Sequence, residues 1–232
     1  MVDFEWQIRR SVRRKTLALC VYPDNRVVAA APAKLSKSEI INFVETKSDW
    51  IRKRLQLNRE KQGKSPAREF KPGENLWYLG RKHGLEVCER RTVGVSCAQG
   101  KITVFVRPEM TAETRSGFIR REIITWYGNM AQKKIAERVR YFTGIIGAIP
   151  RAVKIKTLKS RWGSCSAKGD LNFAWNIIMA PGPVLDYLVV HELCHLIHHD
   201  HSDQYWRLVE KSLPEHRERR KWLRQNGYKL KL

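Results

Sequence analysis

The sequence predicts an α+β protein, and three patterns lead to this class. Residues 6–31 and 76–106 alternate apolar and polar side chains with the period of two that is typical of strands. Residues 111–143 contain no proline and repeat apolar side chains every three to four positions, as a long helix does. The helical spacing returns between 181 and 227. Strands and helices therefore share one chain of 232 residues.

Composition excludes several classes of protein. The chain carries a formal charge of +22, but its apolar fraction of 42% is enough for a packed core, so global disorder is excluded. No apolar run approaches the roughly 18 residues of a membrane span, and the first residues lack the pattern of a signal peptide. The five cysteines form no CxxC pair. These features predict a soluble, cytoplasmic protein without a disulfide framework.

The front part of the chain predicts a hairpin and then a helix. Residues 17–21 alternate, residues 23–25 (Pro-Asp-Asn) are typical of a turn, and residues 27–28 resume the strand pattern. From Ser36 to about Glu60 the spacing is helical, and its start has the form of a capping box. Gln62–Pro72 is polar and predicts a linker.

A second group of strands precedes the long helix. Residues 76–106 predict a small antiparallel sheet, and the helix that begins at Thr111 should end at Gly144 and Gly147. We therefore predict two regions, a β-rich region with one helix over 1–110 and a second domain over 111–232.

The last third of the chain alternates again between strand and helix signals. Strands are predicted at 152–158 and 170–178. The predicted helices are 181–200, 202–212 and 214–227. The segment 162–213 holds three basic and six acidic residues, against the trend of the whole molecule. This segment contains the strongest functional motif.

That motif is His191-Glu192-Leu193-Cys194-His195, an HExxH within the apolar-periodic helix. Residues four apart lie on one helical face, so both imidazoles can reach one zinc ion at about 2.0–2.1 Å. Glu192 is rotated by about 100° from His191, which leaves its carboxylate at the open side of the metal. There it can take a proton from zinc-bound water.

A catalytic zinc needs a third protein ligand. His201 is the best candidate, provided that the chain reverses after His199, and Asp200 tolerates the left-handed backbone that such a reversal can use. The alternatives are the four residues Glu210, His198, His199 and Asp200. Tyr205 and Trp206 are interpreted as packing residues, and Tyr205 is not counted as catalytic.

These motifs resemble the YgjP-like family of predicted metal-dependent hydrolases, or metallopeptidases. The resemblance rests on Ser160-Arg161-Trp162-Gly163-Ser164-Cys165, Leu171-Asn172, Ile177–Pro181, Tyr187–Leu196 and His201-Ser202-x-x-Tyr205-Trp206. It is dense over 151–226 and looser before that. The related SprT-like proteases share the WGSC and HExxH elements, and some act on DNA-bound proteins.

The resemblance implies a zincin-like metallopeptidase core that contains the HExxH helix and follows a small β-rich and helical N-terminal region. It implies one zinc ion held by His191, His195 and His201, with Glu192 as the catalytic carboxylate and a peptide or protein as substrate. Metzincins share the histidine spacing, but they have glycine where this chain has His198, which argues against membership of that clan.

Two other functions stay open at this point. The first is a metal-dependent nucleotide (NTP) phosphohydrolase or pyrophosphatase, in which Arg151, Lys159 and Arg161 would contact phosphate. The second is a basic nucleic-acid-binding protein whose HExxH holds a structural zinc. Nucleic acid is a possible partner in either case, since basic side chains cluster in three segments, 9–15, 52–54 and 217–221.

Overall fold

A computed structural model describes residues 2–22, 24–62, 68–158, 160–230 and 232. The chain divides into two compact units, Met1–Pro66 and Ala67–Leu232. No helix within the described residues is both long enough and apolar enough to span a membrane. The architecture is α+β, as the sequence predicts.

The first unit combines a three-stranded sheet with two helices. Its elements are β1 (Trp6–Ser11), β2 (Ala18–Val21), β3 (Val27–Pro32), α1 (Lys37–Thr46) and α2 (Ser48–Gln62). The predicted hairpin is confirmed, because β2 and β3 are antiparallel, while β1 pairs in parallel with the other edge of β3. Central β3 is buried because it packs with apolar side chains of both helices in a core of its own.

The helix predicted over Ser36–Glu60 is two helices in the structure. The capping box at its start is confirmed, since the Ser36 hydroxyl accepts a hydrogen bond from Glu39 N and the Glu39 carboxylate accepts one from Ser36 N. α1 then ends at Lys47, where the backbone leaves helical geometry before α2 begins. Two other predictions lie in part outside the described residues: the turn Pro23-Asp24-Asn25, of which Pro23 is outside, and the linker Gln62–Pro72, of which residues 63–67 are outside.

The second unit begins with a four-stranded sheet. Its strands are β4 (Asn75–Tyr78), β5 (Arg81–Glu89), β6 (Gly94–Ala98) and β7 (Lys101–Val106), in the order β4-β5-β7-β6. The prediction of an antiparallel sheet is wrong, because β7 lies between β5 and β6 and pairs with β5 in parallel. β7 is antiparallel to β6, its hairpin partner.

The long helix α3 (Ala112–Ile146) packs on this sheet. It continues through Gly144 and ends at Gly147, whose φ of 77° is left-handed. Buried side chains of β5 and β7 share one core with those of α3. The compact units consequently divide near residue 66, earlier than the division at residue 110 that we predicted, since the second sheet buries its apolar face with the helix that follows it.

The remaining elements surround the HExxH helix. They are β8 (Ala152–Lys156), β9 (Gly163–Cys165), β10 (Asp170–Ala174), a 3-10 helix (Trp175–Met179), α4 (Gly182–Cys194), α5 (Asp203–Ser212), α6 (His216–Asn226) and a last 3-10 helix (Gly227–Leu230). β10 is the central strand, parallel to β8 and antiparallel to β9. α4 packs with α3, the first 3-10 helix, α5, α6 and β9. It is therefore the central helix of this half of the unit.

The turn between β4 and β5 is attached to the segment that enters α4. Leu79 and Gly80 both have positive φ, 47° and 78°, which is the geometry of a two-residue type I′ hairpin. Their amides donate hydrogen bonds to Ile178 O at 2.9 Å and Met179 O at 3.1 Å. The first sheet of this unit thus helps to set the position at which α4 starts.

Candidate metal centre

The HExxH motif lies at the C-terminal end of α4. The helix ends at Cys194, six residues earlier than predicted, but His195 keeps helical angles, with φ −68° and ψ −15°. His191 and His195 therefore still stack one helical turn apart, and their ring centroids are 5.0 Å apart.

The chain then reverses and returns His201 to the same place. His198 N donates to Cys194 O at 3.0 Å, and the Asp200 carboxylate accepts a hydrogen bond from Ser202 N at 3.1 Å. Asp200 is not among the residues with positive φ, so the left-handed conformation that we considered there is not used. The Asp200 side chain, rather than its backbone, stabilises the turn.

The structure brings the three histidines together. One ring nitrogen from each of His191, His195 and His201 lies within 4.8 Å of the others. The Nε2 atoms of His191 and His201 are 3.4 Å apart, and the rings of His195 and His201 have centroids 4.7 Å apart. Among the described residues no other His, Cys, Asp or Glu joins this group.

The alternative third ligands have other contacts. Glu210 pairs with Arg217 at 3.4 Å, and the backbone carbonyl of His198 contacts His195 Nδ1 at 3.0 Å. The Asp200 carboxylate accepts the hydrogen bond from Ser202. His199 is exposed and is not a member of the group.

The Nδ1 atoms of His191 and His195 have polar partners. His191 Nδ1 is 2.5 Å from the Tyr205 hydroxyl, and His195 Nδ1 is 3.0 Å from His198 O. This leaves Nε2 of each ring for the centre of the group. Three imidazole nitrogens form a donor set that suits Zn²⁺ and related divalent ions, and two of the rings have a polar partner at Nδ1. The residues therefore fit the metal that the motif implies.

The two helix histidines are held in their neutral form. Burial lowers the pKa of His191 to about 3, and the neighbouring His195, His201 and Arg220 contribute in the same direction. Burial also lowers the pKa of His195. Neutral imidazole is the form that binds metal, so both rings are in the protonation state that a metal ligand requires.

Glu192 lies beside this group without joining it. It is only 3% exposed, and burial raises the pKa of its carboxyl to about 8, with the charge of Arg161 acting in the opposite direction. Its carboxylate lies against Gly163 of β9, where a β-carbon would come within 2.8 Å of Glu192 Cδ. The carboxylate therefore occupies a space that only glycine at residue 163 leaves open.

Sequence patterns do not reveal two contributions to this site. Gly163 stands out in the sequence only as part of the WGSC motif, although a glycine in a strand is a signal of close approach. The interpretation of Tyr205 as a packing residue is incomplete, because its hydroxyl contacts both His191 Nδ1 and, at 3.1 Å, His191 O. The available signal for Tyr205 is its position four residues after His201.

The residues predicted to contact phosphate are Arg151, Lys159 and Arg161. Arg151 donates two hydrogen bonds, both of 2.6 Å, to the Asp170 carboxylate. Arg161 is exposed and close enough to lower the pKa of Glu192, and Lys159 lies outside the described residues. Of these three residues, Arg161 is the one whose charge acts on Glu192, and no ion pair of Arg161 is seen among the described residues.

Comparison with known proteins identifies the class. A sequence model described as the YgjP-like metallopeptidase domain matches residues 15–226, nearly the whole chain. The protein is thus a metal-dependent hydrolase of the metallopeptidase class. It belongs to the YgjP-like family, which confirms the resemblance inferred from the motifs, and this membership implies a divalent metal and a peptide or protein substrate.

The crystal structure of the metallopeptidase zymogen of Pyrococcus abyssi abylysin matches with 26% identity and a TM-score of 0.36. The match covers 39% of this chain and 93% of that chain. No curated protein sequence matches the chain significantly.

Proposed function

We propose that the protein is a zinc-dependent peptidase that uses His191, His195 and His201 as metal ligands and Glu192 as general base and acid. The observation that carries this proposal is the convergence of three imidazole nitrogens within 4.8 Å, at the end of the helix that also holds the buried Glu192 carboxylate. Zinc suits an all-imidazole set, although other divalent ions also bind such sites.

A zinc ion held there would polarise the scissile carbonyl and acidify the attacking water. The positive charge of the zinc ion would favour the ionised form of Glu192. The carboxylate would then take one proton from that water as the water oxygen attacks the carbonyl carbon. The same carboxyl would then give the proton to the amide nitrogen as the C–N bond breaks. Gly163 keeps the Glu192 side chain in the orientation that this exchange needs, because it leaves space for the carboxylate.

The neighbouring sheet favours a peptide substrate. β9 is an edge strand, paired with β10 on one side, and it contains the glycine that contacts Glu192. An extended peptide can add to such an edge through backbone hydrogen bonds, which would place a peptide bond near the carboxylate. This geometry supports amide hydrolysis more directly than it supports phosphate-ester hydrolysis.

The test is hydrolysis of an unfolded protein substrate by zinc-loaded protein and by its Glu192→Gln variant. We expect the variant to keep one zinc per chain and to lose turnover by about 100- to 10,000-fold, the range for general acid–base catalysis. Glu210→Gln is the matched control, since Glu210 is an exposed carboxylate that pairs with Arg217. Unchanged hydrolysis by the Glu192 variant would refute the role.

The same preparation separates the other functions. A panel of nucleoside triphosphates would yield phosphate or pyrophosphate if the site were a phosphohydrolase. A purely structural zinc would be bound without any hydrolysis, and its fourth ligand would be protein in place of water. Peptide cleavage that depends on Glu192 would argue against both.

We also propose a reducing, cytoplasmic location. All five cysteines are free. Cys194, the last residue of α4, is buried in the hydrophobic core, and this burial raises the pKa of its thiol to about 12. Free thiols of this kind persist where glutathione and thioredoxin keep cysteines reduced. Fractionation of cells that express the protein would test this location.

A further inference from the structure

Tyr205 makes two close polar contacts with a single residue. Its hydroxyl oxygen is 2.5 Å from His191 Nδ1 and 3.1 Å from the backbone carbonyl oxygen of His191. The residue has no exposed surface, and its ring stacks on His195 with centroids 4.6 Å apart. The hydroxyl is therefore fixed on two sides and is shielded from bulk water.

The number of protons decides how these contacts are made. A phenol has one proton to donate, and the carbonyl oxygen can only accept. If the hydroxyl donated to Nδ1, the carbonyl would face an oxygen with no proton between them. If Nδ1–H donates to the hydroxyl and the hydroxyl donates to the carbonyl, both contacts are hydrogen bonds. Buried polar groups nearly always adopt the arrangement that satisfies them.

We infer that Tyr205 is a positioning residue that holds His191 as the Nδ1–H tautomer and so presents an unprotonated Nε2 to the histidine group. The inference rests on the proposed function, in which that Nε2 binds zinc. The carbonyl of His198, 3.0 Å from His195 Nδ1, has the corresponding place behind His195. A side-chain hydroxyl thus serves one ligand and a backbone carbonyl the other.

The beginning of α5 explains how Tyr205 reaches this place. Ser202 caps the helix, and its hydroxyl accepts a hydrogen bond from Tyr205 N at 3.4 Å. His201 directly precedes this cap, and Tyr205 follows His201 by four residues. One turn of chain therefore delivers both the third imidazole and the hydroxyl that orients the first, and the two rings have centroids 4.9 Å apart.

The first measurement needs no variant. Long-range proton–nitrogen NMR of metal-free protein labelled with ¹⁵N-histidine distinguishes the two imidazole tautomers. We expect His191 to be protonated on Nδ1. A His191 protonated on Nε2 in the folded, metal-free protein would overturn the inference, whatever the protein hydrolyses.

The second measurement is zinc affinity by competition with a chelator. Tyr205→Phe keeps the ring and removes the hydroxyl, and we expect it to weaken zinc binding by about 10- to 100-fold, the usual effect of removing a partner behind a ligand. The matched control is Tyr187→Phe. Tyr187 is also a buried tyrosine, its ring centroid is 5.8 Å from that of His191, and its hydroxyl has no hydrogen bond among the described residues, so affinity should not change.

The outcomes separate this inference from the proposed function. If wild-type protein binds zinc and Tyr205→Phe binds it equally well, the inference is wrong while the proposed function stands. If wild-type protein binds no zinc, the proposed function fails, and the tautomer of His191 still tests the role of Tyr205. Amide spectra of both variants check that they are folded. If Tyr205→Phe does not fold, the tautomer of His191 in the wild-type protein decides the question.

Discussion

Gly163 lies so close to Glu192 that a β-carbon at residue 163 would come within 2.8 Å of both Cδ and Cγ of the glutamate. Gly163 does not have positive φ, so the close approach, and not the backbone conformation, requires glycine there. The strand β9 and the helix α4 therefore meet at the carboxylate that we propose as the general base.

Gly163→Ala should displace this carboxylate and leave the histidine group in place. We expect hydrolysis to fall by about 100-fold or more, because a misplacement of about 1 Å costs that much in a catalytic geometry. Zinc affinity should stay near that of the wild type. The measurements are the kcat of peptide hydrolysis and chelator competition.

Gly84→Ala is the control for that variant. Gly84 also lies in a strand, but a β-carbon there meets no atom within 4 Å. Equal activity of the two alanine variants would show that the contact between Gly163 and Glu192 does not matter for catalysis.

A second prediction concerns the turn that supports the start of α4. A β-carbon at Gly80 would lie 2.8 Å from Pro181 Cα, and Gly80 has a φ of 78°. Since both the clash and the backbone strain act on Gly80→Ala, we expect the free energy of unfolding to fall by about 2–5 kcal/mol. Gly73 has a φ of 88° but no atom near a β-carbon, so Gly73→Ala should cost only about 1–2 kcal/mol.

Urea denaturation of the two variants measures this difference. If Gly80→Ala costs no more than Gly73→Ala, the packing of the hairpin turn on Pro181 contributes nothing to stability.

A third prediction concerns acid stability. The buried Asp170 carboxylate accepts hydrogen bonds from Arg151 at 2.6 Å and Lys154 at 3.1 Å, and these partners hold its pKa well below the ordinary value. A carboxyl whose pKa is lower in the folded state stabilises the fold above its unfolded pKa of about 3.9 and loses that contribution as the pH falls.

We therefore expect wild-type protein to lose stability on acidification below about pH 4, and Asp170→Asn to be less stable at neutral pH but less sensitive to acid. Urea denaturation between about pH 3 and pH 7 tests both statements. A variant that loses as much stability on acidification as the wild type would show that other carboxyls dominate the acid response.

A fourth prediction concerns the basic turn between β1 and β2. Arg13 and Lys15 are exposed there, and residues 9–15 contain no acidic side chain. If this turn binds nucleic acid, as the net charge of +22 suggests, affinity for duplex DNA should fall with salt concentration. Replacing Arg13 and Lys15 by Gln should reduce the slope of log affinity against log salt by about 0.9 for each DNA phosphate that these side chains neutralise.

Arg26→Gln is the control for the basic turn. Arg26 is an arginine of the same unit that already pairs with Asp24 at 2.8 Å, so its replacement should change the slope less. Binding that does not depend on salt, or an unchanged slope in the double variant, would contradict a role for residues 9–15.

Local signals explain why much of the fold was predictable. The capping box at Ser36 and the apolar period of α3 are properties of neighbouring residues, and the structure contains both. The break at Lys47 and the central position of β7 were not predictable in this way, because they depend on how helices and strands pack with distant parts of the chain.

Local periodicity and motifs of a few residues were enough to establish the α+β class, the family and the spacing that stacks His191 on His195. The polar groups behind and beside the histidines became known from the packing of distant parts of the chain. Tyr205 meets His191 across 14 residues of chain, and Gly163 meets Glu192 across two elements. Such contacts arise when buried groups compete for space and hydrogen-bond partners, and that competition has no periodic signature in the sequence.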